Sequence, residues 1–272
     1  MTRPPARDLV AFACRLAEAA GDVVRRYFRR PLEIAYKDDV SPVTEADRRT
    51  EATLRAMIAE RFPDHGVIGE EFPPERGDAE IVWVIDPIDG TRSFLAGIPV
   101  FVTLIALTRG GRPVLGVIDQ PITGERWVGG DGHPTTLNGR PVRVRACGGL
   151  AEAVLCATSP AYFTGADRAP FARLAGFVRW VQYGADGYGF AQIAGGRIDL
   201  GTDTDLAPYD YLAPAAVIAA AGGVMTDWEG RPLTLASGGR VLAAGDRALH
   251  TAALALLAAP GDAAIAAAAP TG

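Results

Sequence analysis

The chemically suggestive feature of this sequence is a set of carboxylates placed directly behind apolar runs. Trp83-Val84-Ile85 leads straight into Asp86-Pro87-Ile88-Asp89-Gly90-Thr91. A strand that ends this way is expected to turn sharply, since Pro87 fixes one φ and Gly90 permits a positive φ or a close approach. Two carboxylates three residues apart across such a turn can converge. Hard cations such as Mg²⁺ are held by carboxylate oxygens, backbone carbonyls and water, so the turn can offer Asp86, the Ile88 carbonyl and Asp89 together. The plainer alternative is an Asx-turn with solvated carboxylates. Val67-Ile68 runs into Gly69-Glu70-Glu71 in the same manner, and Asp210 stands behind Pro208 at the mouth of a helix, where simple capping is the competing reading. A calcium loop fails on spacing. Counted from Asp86, ligand positions three and five fall on Ile88 and Gly90, and no glutamate closes the loop.

Other chemistries are excluded by what is missing. The sequence has no G-x-x-x-x-G-K-[ST], no G-x-S-x-G and no G-x-G-x-x-G behind a strand. His65, His133 and His250 are isolated and read as turn or surface residues. The cysteines Cys14, Cys147 and Cys156 lack ligand spacing, so neither a disulfide framework nor a zinc site is expected. A net charge of −5 argues against a nucleic-acid partner. Arg15, Glu18, Asp22 and Arg25 interrupt Leu9–Tyr27, which rules out a signal peptide, and no run reaches the length of a membrane helix. The expectation is a cytoplasmic protein that meets no membrane. At 272 residues and 49% hydrophobic, the chain is long and apolar enough to bury a large core.

These residues need elements to hold them. Leu9, Phe12, Leu16, Ala20, Val24 and Tyr27 recur at three- and four-residue steps, predicting a helix over 6–29 that Pro31 ends. A short strand over 32–36 and a polar loop follow. Thr44 reads as the N-cap of a second helix to Arg61, with Asp47 three positions on, where a capping box usually has Glu or Gln. Short strands are expected at Val67-Ile68 and Ile81–Ile85. Val100–Thr108 and Pro113–Asp119 form a hairpin around Gly110-Gly111, and Glu125–Val128 continues the meander. From about residue 150 helices and strands alternate: strands at 153–157, 177–182, 198–200, 224–226 and 241–243, and helices at 168–175, 186–194, 209–221 and 247–258. The first half therefore reads as α+β and the second as α/β. The chain is expected to form one catalytic unit over 1–257, in halves of 1–149 and 150–257, with 258–272 a frayed, flexible tail.

The string from Trp83 to Phe94 resembles the first signature of the inositol monophosphatase family. Gly69-Glu70-Glu71 resembles that family's metal-binding glutamate motif. Pro208-Tyr209-Asp210-Tyr211-Leu212-Ala213 through Gly222-Gly223 is similar to its second signature, with Tyr209 in place of Trp and Leu212-Ala213-Pro214 in place of small residues. The likeness runs from about residue 8 to 257. It implies a layered αβαβα sandwich, a homodimer, and phosphate-monoester hydrolysis with two or three Mg²⁺ held by Glu70, Asp86, the Ile88 carbonyl, Asp89 and Asp210. Thr91 and Asp47 would orient the attacking water, and backbone N–H groups after Gly90, with Thr91, would cradle the phosphate. Lys37 and Asp38 fall on a loop that in relatives closes over the site.

Substrate must be read elsewhere. Arg92-Ser93 replaces the Thr-Asn commoner in inositol phosphatases. Phe101–Leu107, Gly116–Pro121, Glu125-Arg126-Trp127, Thr158-Ser159-Pro160 and Gly239–Asp246 look like the histidinol-phosphate phosphatase branch. Gly184, Asp186, Asp203 and Arg92 are the candidate substrate contacts. A carboxylate at Asp186 suits a cationic amine or imidazolium, because a charge-assisted hydrogen bond is stronger than a neutral one. Asp203 takes the place of the family's usual glutamate, and Ala185, Gly187 and Ala207 stand where the branch has Gly, Cys and Lys. Those departures bear on substrate identity. An inositol, sugar or nucleotide monophosphatase is the alternative activity, and a non-catalytic metal- or phosphate-binding regulator the alternative of another class. Asp47, Glu70, Asp86, Asp89 and Asp210 together carry as many negative charges as the chain's net −5. An empty cleft of that charge would repel a phosphate, and bound cations would reverse its field.

Overall fold

A computed structural model describes residues 7–31, 34–36 and 42–259. Lys37, Asp38 and the segment from 260 onward, with the expectations attached to them, lie outside the described residues. In chain order the elements are α1 (Arg7–Tyr27), β1 (Ile34–Tyr36), β2 (Pro42–Thr44), α2 (Glu45–Arg61), β3 (Gly66–Gly69), β4 (Ile81–Asp89) and α3 (Thr91–Leu95). The meander follows as β5 (Val102–Arg109), β6 (Arg112–Gln120), β7 (Glu125–Gly130), β8 (His133–Leu137) and β9 (Arg140–Pro141). The remainder is β10 (Val154–Ala157), α4 (Arg168–Phe177), β11 (Trp180–Tyr183), α5 (Asp186–Ala194), β12 (Leu200–Asp203), α6 (Pro208–Ala220), β13 (Val224–Asp227), β14 (Val241–Ala244) and α7 (Arg247–Ala258).

Strands β3 to β9 form one sheet in sequence order, with β3 parallel to β4 and the rest antiparallel. The second sheet runs β11-β10-β12-β14-β13, parallel on the β11 side and antiparallel on the β13 side. The period-2 alternation of strand side chains then builds the layers. On β4, Trp83 and Ile85 pack with Leu9, Phe12 and Leu16 of α1 and Leu54 and Ile58 of α2. Val82 and Val84 face the other way, against Phe190 and Ile193 of α5 and Tyr211, Leu212 and Val217 of α6. Val154, Cys156, Val241 and Ala243 of the second sheet join that middle core. Leu155, Leu200 and Leu242 turn outward onto Phe171 and Leu174 of α4 and Leu249 and Leu257 of α7. The result is the expected αβαβα sandwich, with α5 and α6 between the sheets. Gly116 on β6 lets α6 come in close, since a Cβ there would sit 2.3 Å from the Ala213 carbonyl oxygen.

Several boundaries differ from the sequence reading. Helix α1 stops at Tyr27, ahead of Pro31; the chain turns at Arg29, whose φ is 58° and whose guanidinium donates to the Gly97 carbonyl at 2.8 and 3.1 Å. Strand β12 begins at Leu200 because Asp199 is taken up by Arg145, at 2.7 and 2.6 Å, and by the Val154 amide at 2.8 Å. Strands β8 and β9 have too little apolar alternation to be seen beforehand. The Gly110-Gly111 hairpin is as expected, with both residues at positive φ (56° and 76°), the conformation a two-residue turn of matching twist requires.

Candidate active site

The largest correction falls on the Asp86–Asp89 segment. The strand does not end at Asp86 but continues to Asp89 through a bulge. Asp86 pairs with Leu104 and Asp89 with Val102, so three steps along β4 match two along β5. In a regular strand, residues three apart point to opposite faces. The extra residue cancels that, and Asp86 and Asp89 both lie over the face that Val102 and Leu104 share with α5 and α6. Pro87 is tolerated at such a bulge, where its missing N–H leaves no ladder bond broken. Thr103 Oγ1 donates to the Pro87 carbonyl at 2.8 Å and the Ile88 amide to Asp86 Oδ1 at 3.0 Å, which hold the bulge. Gly90 follows at φ 88°, and a Cβ there would meet Asp186 Oδ2 at 2.9 Å. Thr91 opens α3 with its hydroxyl on the Ile88 carbonyl at 3.1 Å.

Four further elements deliver their ends to this bulge. Helix α6 brings Asp210 in its first turn, where Oδ2 accepts the Ala207 amide at 2.7 Å, so the capping role also holds. The helix continues through Pro214 to Ala220. Oxygen atoms of Asp86, Asp89 and Asp210 all lie within 4.8 Å of one another. Glu70 follows the last residue of β3 and sits beside this trio, close enough for its charge to raise the proton affinity of Asp86, Asp89 and Asp47. At the start of α2, Asp47 Oδ2 accepts the Thr44 amide at 2.8 Å and the Thr44 hydroxyl at 2.6 Å, while Thr44 Oγ1 accepts the Ala46 amide at 3.1 Å. Asp47 thus serves as the third-position acid of a capping box. Its other oxygen, Oδ1, is buried without a hydrogen-bond partner among the described residues. Helix α5 aims its first turn at Asp89: the Gly187 amide donates to Asp89 Oδ2, and a Cβ on Gly187 would fall 2.4 Å from that oxygen.

Among the described residues, the charges that shift Asp86 and Asp89 are all carboxylates. Burial, then Glu70, Asp89 and Asp210, push the Asp86 carboxyl well above the ordinary range, and Asp86 and Asp210 share a hydrogen bond that one proton must occupy. Burial, then Asp186 and Asp210, do the same for Asp89. Burial raises Asp47 to about 6 against the pull of its two Thr44 bonds. The phenol of Tyr209, beside Asp210, Glu70 and Asp86, is raised as well, by burial first. Carboxylates forced to keep protons, and a buried Asp47 oxygen with nothing to bond, are what a cation and its water would relieve. The all-oxygen donor set suits a hard divalent ion.

The candidate substrate residues gather at the ends of β10, β11 and β12. Asp203, 2% exposed at the end of β12, accepts the Thr158 amide at 3.0 and 3.2 Å and the Thr158 hydroxyl at 2.9 Å. Burial lifts its carboxyl to about 7, and the charges of Asp186 and Asp210 add to the rise. Asp186 opens α5 at φ 43°, raised by burial but opposed by hydrogen bonds from Thr158 and Ser93 and by the Arg92 charge. Gly184 makes the β11–α5 turn at φ 77°, and its amide bonds to Thr158 O at 3.0 Å. Arg92 is exposed, lies 5.4 Å over the Tyr162 ring and donates to the Tyr162 hydroxyl. Thr158, Ser93, Tyr162, Tyr209 and Gly187 thus border the site without having been picked out as site residues; all but Tyr162 stood in motifs, or at departures from them, that could have flagged them. Among the histidines, His65 Nδ1 accepts the Trp83 indole at 3.1 Å and His250 bonds to Thr226, so both are structural. No helix of the described residues is long and apolar enough to cross a membrane.

The chain is similar to several characterised proteins over most of its length. A solved structure of an inositol monophosphatase from Zymomonas mobilis superposes with a TM-score of 0.86 at 43% identity, covering 94% of this chain and 99% of that one. The bifunctional phosphatase IMPL2 of Arabidopsis thaliana is 44% identical over 248 residues, 88% of this chain and 72% of that protein. The histidinol-phosphatase of Chlorobaculum parvum is 39% identical over 225 residues, 80% of this chain and 85% of that one. The model of the inositol monophosphatase family matches residues 6–260, so this chain belongs to the inositol monophosphatase family of phosphatases.

Proposed function

We propose that the chain is a Mg²⁺-dependent phosphomonoesterase that hydrolyses L-histidinol phosphate, acting in the cytoplasm as a homodimer with one catalytic unit over residues 1–257. The observation that carries the metal reading is the convergence of Asp86, Asp89 and Asp210. Those three, with Glu70 and the Ile88 carbonyl, would hold two or three ions. When bound, Mg²⁺ would neutralise the phosphate oxygens and lower the pKa of a coordinated water. The chain's own residues do the rest. Asp47, its Oδ1 without a hydrogen-bond partner among the described residues, accepts a proton from water; Thr91 holds that water in line. The Thr91 and Arg92 amides, behind Gly90, face the phosphate oxygens. Asp186, half-buried, and the buried Asp203, on either side of Thr158, draw a cationic substrate group toward the site, with Gly184 and Arg92 at its rim.

Supporting the substrate choice are the acids at Asp186 and Asp203 and the similarity to a histidinol-phosphatase. A second reading, hydrolysis of inositol or a related neutral phosphate, is favoured by one specific observation: Arg92 already supplies Asp186 with a positive neighbour. Phosphate release from histidinol phosphate and from inositol phosphate, each with Mg²⁺ and with chelator, separates the two. Faster release from histidinol phosphate, lost on chelation, is the expected outcome. Preference for inositol phosphate would transfer the assignment, and no release from either with metal present would leave a non-catalytic binding protein. Light scattering tests the dimer.

A further inference from the structure

Behind the metal-side glutamate lies a buried ion pair that the catalytic reading does not use. Glu51, on α2, is fully buried, with 0% exposure. Its Oε2 accepts the Glu71 amide at 2.7 Å and its Oε1 the Arg55 Nε at 2.7 Å. Arg55 reaches on to the Phe72 carbonyl at 3.0 Å and to Glu75 Oε1 at 3.1 Å, with its guanidinium 5.8 Å over the Phe72 ring. The loop they grip is closed at its base by reciprocal Val67–Glu75 backbone bonds of 2.8 and 2.9 Å. Glu51 also occupies the space above Gly69, where a Cβ would lie 2.1 Å from Oε1, so only glycine lets the strand come this close. Glu70 stands between these two fixed points, Gly69 and the Glu71 amide.

We propose that Glu51 and Arg55 are positioning residues that fix the Gly69–Phe72 backbone and so set the affinity with which Glu70 binds the metal. The inference rests on reading Glu70 as a metal ligand. Burying a carboxylate completely is costly unless its partners are well placed. Here the partners are the backbone of the ligand-bearing loop, and outer groups of this kind typically govern metal affinity by about 10–100-fold. Leaving one carboxylate oxygen on the loop amide and one on Arg55 uses both acceptors, so the pair cannot relax without releasing the loop.

The test is Mg²⁺ binding by calorimetry on the full chain, alongside phosphate release as a function of Mg²⁺. Glu51→Leu combined with Arg55→Met removes both charges together, an exchange that buried ion pairs often tolerate without loss of stability. That folded double variant should bind Mg²⁺ about 10–100-fold more weakly, with kcat at saturating Mg²⁺ within about threefold of the parent. Glu51→Gln can satisfy only one of the two donors and should fall between. Wild-type Mg²⁺ affinity in the folded double variant overturns the inference, as does a kcat loss that saturating Mg²⁺ fails to restore. Glu70→Gln separates the two levels of failure. If it weakens binding while the double variant does not, the positioning role alone is wrong; if it too binds normally, the ligand reading of Glu70 falls.

Discussion

Two sets of buried and half-buried carboxylates lie close enough to feel one another's charge, and they are satisfied in opposite ways. In the first, Asp86, Asp89 and Asp210 crowd one another, and the charges of Asp89 and Asp210 raise the proton affinity of Asp86, as that of Asp210 does for Asp89. In the second, Asp203 accepts the Thr158 amide and hydroxyl, and Asp186 feels Thr158, Arg92 and Ser93. Burial raises Asp86, Asp89, Asp186 and Asp203 alike, so burial alone does not distinguish the sets. The difference lies in which countercharge is missing. On the proposed reading the first set would be completed by an ion from solution, and the second, largely completed by the protein, would select among substrates.

That contrast can be broken most decisively at Asp89. Asp89→Asn keeps an acceptor for the Gly187 amide and should leave the fold intact while lowering turnover by at least about two orders of magnitude, more than the loss of an outer-shell partner. Wild-type-like turnover would refute the metal assignment. Asp47→Asn should cost about 10²–10⁴-fold in kcat as the proton acceptor is lost. It should also stabilise the metal-free protein at neutral pH. The folded chain holds the Asp47 proton to about 6, against an ordinary 3.8. Folding therefore favours the protonated acid, and its contribution is lost as pH rises through that interval; two units correspond to on the order of 3 kcal/mol.

A third outcome follows for the whole cluster. With chelator present, Tm should fall as pH rises from about 4 to about 6, because Asp47 loses its stabilising proton over that range and Asp86 and Asp89 shift in the same sense. Excess Mg²⁺ should flatten or reverse that slope. A chelated protein whose Tm rises over the same range would mean that the first set is not short of positive charge. The smallest effect is expected in the second set. Asp186→Asn should lower the preference for a cationic over a neutral phosphate ester by about five- to tenfold, the difference between a charge-assisted and a neutral hydrogen bond. Equal slowing of both substrates would remove Asp186 from amine recognition.

The local elements of this protein were readable in advance wherever a local rule governs them. The Thr44–Asp47 cap, the Gly110-Gly111 turn and the limits of α5 and α7 follow from side-chain chemistry within a few residues. Likewise the metal-side residues were visible, because carboxylates behind buried strands are conspicuous whatever surrounds them. The motif resemblance carried the layered architecture, which periodicity alone could not order.

Contacts distant in sequence were out of reach. The Asp86-Pro87-Ile88-Asp89 run reads as a turn, yet pairing with β5 makes it a bulged strand, and only that pairing puts both aspartates on one face. The residues 45 apart that join Asp203 to Thr158, and the 98 between Asp89 and Gly187, leave no periodic trace. The same holds for Glu51, a charged residue on an otherwise ordinary helix until the Glu71 amide, 20 residues on, is found against it. Residue type and spacing thus name the groups capable of binding a cation. Which of them meet, and which are already neutralised by a neighbour, depends on how two sheets and the helices between them close, because a buried charge is governed by whatever packing places beside it.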